Sequence, residues 1–96
     1  MIDAGDVCWC DLGGERRAQV LVVSHVRFHR AAGRALVCPA VGVRGDELPP
    51  WFVPVGDEFF AIDRIVARPV ERVLEQVGRA PSAAFERVRR TLRAIT

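Results

Sequence analysis

Arg16 and Arg17 stand just before a short run, Val20-Leu21-Val22-Val23-Ser24, and a second basic stretch, His25 to Arg34, follows it. The run is apolar, β-branched and too short for an isolated helix, which predicts a strand buried on both faces. Guanidinium groups fixed at the rims of such a strand suit the gripping of a phosphate through two parallel hydrogen bonds. The alternative is that they only keep a central strand soluble. His25 and His29 are candidates for acid–base work, or are simply solvated.

The charge distribution supports an anionic partner. Residues 15–34 carry Arg16, Arg17, Arg27, Arg30 and Arg34 against Glu15 alone, whereas residues 46–63 carry Asp46, Glu47, Asp57, Glu58 and Asp63 and no base. The net charge of +2 conceals this split. No lysine is present, so every strong base is a planar fork. Such polarity predicts an anion on one face without naming it.

The 96 residues are expected to form a single domain, 1–96, burying roughly two-thirds of the surface of the unfolded chain. A hydrophobic share of 50% with 27% charged residues excludes a disordered chain. No apolar stretch approaches the ~20 residues of a membrane span, so no membrane partner is expected. The acidic start, Asp3 and Asp6, lacks the pattern of a signal peptide, which points to the cytoplasm. Cys8 and Cys10 fall two apart in a predicted strand, poorly placed for a disulfide, and with Cys38 they read as buried, reduced thiols. No zinc spacing, phosphate-binding glycine loop or Ser-His-Asp order is present, so no cofactor or metal is expected.

Stepping along the chain, Asp6 to Leu12 alternates and stops at Gly13-Gly14, giving strand one. A loop through Arg17 leads to strand two at about 19–24. His25 to Gly33 reads as a long polar connection. Arg34 to Pro39 is strand three, ended by its proline. Residues 42–50 are loop. Trp51 to Val55 is a strand with Pro54 favouring an edge, 56–58 is a turn, and Phe59–Ile62 and Ile65–Ala67 form one or two further strands. Val70 to Val77 fits either a helix face or an alternating strand. Pro81-Ser82 starts a helix with Ser82 as N-cap, and Phe85, Val88, Leu92 and Ile95 line its apolar side. The sum is mainly β: a small, strongly bent antiparallel sheet with one C-terminal helix.

This order resembles the MazF/PemK family of toxin endoribonucleases. Gly5-Asp6-Val7-Cys8-Trp9-Cys10-Asp11-Leu12 is similar to the family's opening strand, and Arg17 with Val20 to Ser24 to its Arg-Pro-Val-Leu-Val-Val-Ser strand. Leu36-Val37-Cys38-Pro39, Asp63-Arg64-Ile65 and Val77-Gly78-Arg79 resemble three further motifs in order. The resemblance implies an SH3-like barrel of the MazF/CcdB type, a homodimer, a cognate antitoxin, and metal-independent cleavage of single-stranded RNA. It further implies Arg17 as the catalytic residue, and Glu15, Arg16, Ser24, His25, Arg27, His29, Arg30 and Val41 as the RNA-binding set. The motifs also depart from the family pattern. Strict spacing puts Ala18 where the family has its Arg, Val41 where it has a hydroxyl, and Arg64 where it has Gln. A member acting by protein binding alone, such as a topoisomerase poison or antitoxin-binding module, is the other reading.

Overall fold

The computed structural model describes residues 1–42 and 48–96. Seven strands make one curled antiparallel sheet: β1 (Asp6–Gly13), β2 (Arg16–Val22), β3 (Arg34–Val41), β4 (Phe52–Val55), β5 (Glu58–Ala61), β6 (Val66–Pro69) and β7 (Val73–Arg79). They lie in the order β4-β5-β3-β2-β1-β7, with β6 paired to β3 off that path. Two α-helices, α1 (Val26–Ala32) and α2 (Ser82–Ile95), complete the chain. The mainly β, half-barrel architecture with a C-terminal helix is the one the sequence predicts. Of the loop expected over 42–50, residues 43–47, including Asp46 and Glu47, lie outside the described residues.

The curl separates two cores. Alternation sends Val7, Leu21, Cys38, Phe60 and Ile62 to the face that α2 covers with Val88, the helix face. Cys8, Cys10, Val20, Val22, Ala35, Val37 and Val73 pack on the far face, closed by Ile2, Leu12 and Val70. Each large side chain so buried contributes about 1.5–3 kcal/mol. All three cysteines are free and buried. Burial pushes the thiol of Cys8 up to about 11 and that of Cys38 up to about 12, so both stay protonated and act as small hydrophobes.

Several boundaries differ from expectation, each for a physical reason. β2 begins at Arg16, because Gly13 and Gly14, at φ +100° and +59°, close a tight turn straight after β1. β3 runs through Pro39 to Val41. The N–H of Leu36 donates to Ser24 and its carbonyl accepts from Val23, so Leu36 bonds toward β2 and Pro39, three residues on, toward the other edge. There β6 has ended opposite Val37 and β5 begins opposite Ala40, so the missing proline N–H costs nothing. Residues 73–79 are a strand; two register slips against β1 blur its alternation. In α2, Pro81 occupies the N-cap position and Ser82 is already helical.

The polar connection after β2 is a helix. His25 caps α1 by accepting from the Arg27 N–H at 3.0 Å, and Gly33 ends it at φ +67°. Its one buried residue is His29, 3% exposed. The Ile2 carbonyl, 3.1 Å from Nδ1, can only accept, so Nδ1 carries the proton and Nε2 accepts from Ser24 Oγ at 2.6 Å. Ser24 Oγ in turn accepts from the Leu36 N–H at 2.8 Å. Ser24→Ala leaves two buried groups without partners and is expected to cost about 1–3 kcal/mol, read as a lower urea midpoint with an unchanged m-value. An unchanged midpoint would show that this chain of hydrogen bonds does not hold α1.

Candidate nucleic-acid interface

The residues singled out from the sequence fall into two groups at opposite ends of β2, a seven-residue strand about 23 Å long at ~3.3 Å per residue. Ser24, His25, Arg27, His29 and Arg30 gather at its C-terminal end, with α1. Ser24 (8% exposed) and His29 are turned inward and bonded to the chain itself. His25 is exposed, but its Nδ1 is engaged in capping. Asp3 reaches this end too. Its carboxylate accepts from the N–H groups of Ala4 (2.8 Å) and Val26 (3.0 Å), and these bonds hold its pKa below the usual value. Arg30 lines an apolar pocket of about 330 Å³ with Met1, Ile2, His29, Val70, Glu71 and Val73. These contacts tie α1 and the first residues to the sheet.

The other end carries Glu15, Arg16 and Arg17, all exposed beside the β1–β2 turn. Arg17 pairs with Asp11 and Arg16 with Gly13, because the register slips by one residue at Leu12. The slip lies on β1, so alternation along β2 is preserved. Arg17 therefore shares the helix face with Gln19 and Leu21, next to half-buried Trp9, while Arg16 shares the far face with Ala18, Val20 and Val22. Asp11 turns its carboxylate to the Gly13 N–H at 2.8 Å. Among the described residues the ion pairs are Arg79–Asp6 at 2.6 Å and Arg89–Glu86 at 4.0 Å, so Arg16 and Arg17 have no acidic partner.

Val41 is 8% exposed and packs with Phe52 and Ala61, flanked by Leu48 and Phe59. The β2–β3 ladder pairs Leu21 with Cys38 and Val20 with Pro39. The ladder ends there, and alternation along each strand puts both Ala18 and Val41 on the far face. The two positions that strict spacing equates with the family's Arg and hydroxyl thus share one face of the sheet, and both are aliphatic here. Half-buried Pro39 lies on the same face, as does Arg16 at the start of β2.

Beyond these stands a residue that the sequence gives no local reason to choose. Arg64 closes the short 3-10 turn Ile62–Arg64, and its guanidinium carbon lies 5.7 Å from the centroid of the Phe52 ring. What holds it there is a contact between positions twelve apart, which no sequence periodicity reports. The aromatic residues Trp51, Phe52, Phe59 and Phe60 are mostly internal: Phe52 and Phe60 are buried, Phe59 is half-buried and Trp51 is 38% exposed. Among the described residues no helix is long and apolar enough to cross a membrane.

The same fold occurs in solved structures. MazE–MazF from Deinococcus radiodurans is similar over 98% of this chain and 94% of that one, with 21% identity and a TM-score of 0.85. An endoribonuclease in complex with its cognate antitoxin, from a mycobacterial species, is similar over 98% of this chain and 93% of that one, with 19% identity and a TM-score of 0.83. A further mycobacterial endoribonuclease covers 97% and 88%, at 18% identity and a TM-score of 0.80. No curated protein matches the chain by sequence. The family of PemK-like, MazF-like toxins of type II toxin–antitoxin systems matches residues 3–96, and the chain belongs to that family.

Proposed function

We propose that this chain is a toxin that cleaves single-stranded RNA without a metal ion. The observation that carries this reading is the pair of arginines opening β2, with no ion-pair partner among the described residues, on a scaffold of this family. In the reaction the ribose 2′-oxygen bonds to the adjacent phosphorus, the bond to the 5′-oxygen breaks, and that oxygen leaves with a proton. A guanidinium fork stabilises the charge of the pentavalent phosphorane. The resemblance assigns this role to Arg17, whereas strand alternation puts Arg16 on the face of Ala18 and Val41. We therefore assign the phosphorane to Arg16 and a binding role to Arg17 and Glu15.

Cleavage of a mixed-sequence RNA in the presence of a chelator separates the assignments. Arg16→Ala is expected to lower the rate by about 10² or more, with poor rescue by Arg16→Lys, whose point charge lacks the fork. Arg17→Ala is expected mainly to weaken RNA binding; the reverse pattern would return the catalytic role to Arg17. Val41→Thr keeps the β-branched shape, adds a donor and should raise the rate. The aliphatic pair Ala18 and Val41 favours a second reading, a member that acts by binding protein alone. That reading prevails if wild type cuts no RNA and neither Val41→Thr nor Ala18→Arg gains activity.

The proposed protein partner is an antitoxin, as structural relatives are complexes of this kind, and an acidic, extended segment on it would suit the same arginine-bearing end. Its binding should weaken with added salt and compete with RNA. Simultaneous binding of both would place the RNA surface elsewhere.

The proposed assembly is a homodimer. Trp51 and Ile95, 38% and 43% exposed, line an apolar groove between α2 and the start of β4 and are the groups a second copy would cover. Light scattering at micromolar concentration should give twice the chain mass, and a clean monomer would exclude the dimer.

A further inference from the structure

We infer that Arg64 is a second phosphate-binding group of the far-face surface, supplying from the β5–β6 side the contact that Val41, with no hydroxyl, does not make. The inference rests on the RNA-binding reading above and adds a residue which that reading does not use. Three observations meet at this point. Arg64 is exposed and has no carboxylate within ion-pairing distance among the described residues. Its guanidinium is nonetheless held, lying 5.7 Å from the centre of the Phe52 ring, and Phe52 packs in one cluster with Val41. The turn that carries it is fixed on β3, where the Cys38 thiol lies 3.9 Å from the Ile62 carbonyl. That contact is one residue from Pro39 and three from Val41.

Stacking on an aromatic face leaves the edge of a guanidinium free, because the donors lie in its plane and the ring meets its face. Arg64 is thus restrained without spending its hydrogen bonds, the state in which an arginine loses least on gripping a phosphate. A glutamine in its place, as in the family motif, would carry donors but no charge. Two of the three departures from the motif, Val41 and Arg64, are therefore linked through Phe52: one removes a donor to phosphate and the other brings in a charged one.

The test measures binding alone, with a fluorescent single-stranded RNA of mixed sequence whose 2′-O-methyl riboses prevent cleavage, over a series of salt concentrations. Arg64→Gln is expected to weaken binding about 5- to 20-fold at low salt. It should also lower the slope of log K against log salt by about 0.7, one contact on a single strand. Arg64→Lys should keep the slope while losing part of the affinity. Arg93→Ala, an exposed arginine near the end of α2, should match wild type, and circular dichroism melts should be the same for all four proteins. If wild type binds RNA and Arg64→Gln binds equally with the same slope, the assignment to Arg64 is wrong and the RNA reading stands. If wild type shows no salt-dependent RNA binding, the RNA reading falls and Arg64 with it.

Discussion

The fold depends on a hand-over of partners along β3. Its residues bond β2 on one edge, while on the other β6 serves Arg34 to Val37 and β5 serves Ala40 and Val41. Pro39, which cannot donate, occupies the interval where neither is needed. A strand whose neighbour on one edge is exchanged partway is free to bend there, and the curled sheet has a core on each face. Val7, Leu21 and Phe60 close against α2, while Cys8, Val20 and Val37 close against the first and seventies residues.

The same bend accounts for the candidate interface. On the far face the core around Val20 and Val37 ends near Pro39, and a smaller cluster around Val41 and Phe52 begins beyond it. Between them lie Ala18 and Pro39, both only half-buried. Arginines approach this interval from both sides, Arg16 along β2 and Arg64 from the turn after β5. A rigid floor with cations at its rims needs little rearrangement to receive a polyanion, which is how a sheet of this size can bind without a deep pocket.

How far the sequence reports this arrangement depends on whether local pattern or long-range contact decides. β1, β2 and α2 were legible because alternation and helical spacing are properties of neighbouring residues. α1 was hidden because its only buried side chain is a histidine, which no apolar periodicity counts; His25 and Gly33 as caps were the available signal. β7 stayed ambiguous because its register slips against β1 interrupt the alternation that would have marked it. For the interface, the face on which each arginine lies follows from where β2 begins, and that was misplaced by three residues. The partnership of Arg64 with Phe52 exists only in three dimensions.

The first strand closes the sheet by pairing with the last. Asp6, almost fully buried, holds Arg79 at 2.6 Å, and Gly5 bonds both Val22 and Ala80. Contacts between positions more than seventy residues apart carry a high loop-closure entropy and form late in folding. Until residues 73–80 have been synthesised, β1 is an open edge whose backbone groups lack their native neighbour. The sheet is thus complete only once the final strand has docked.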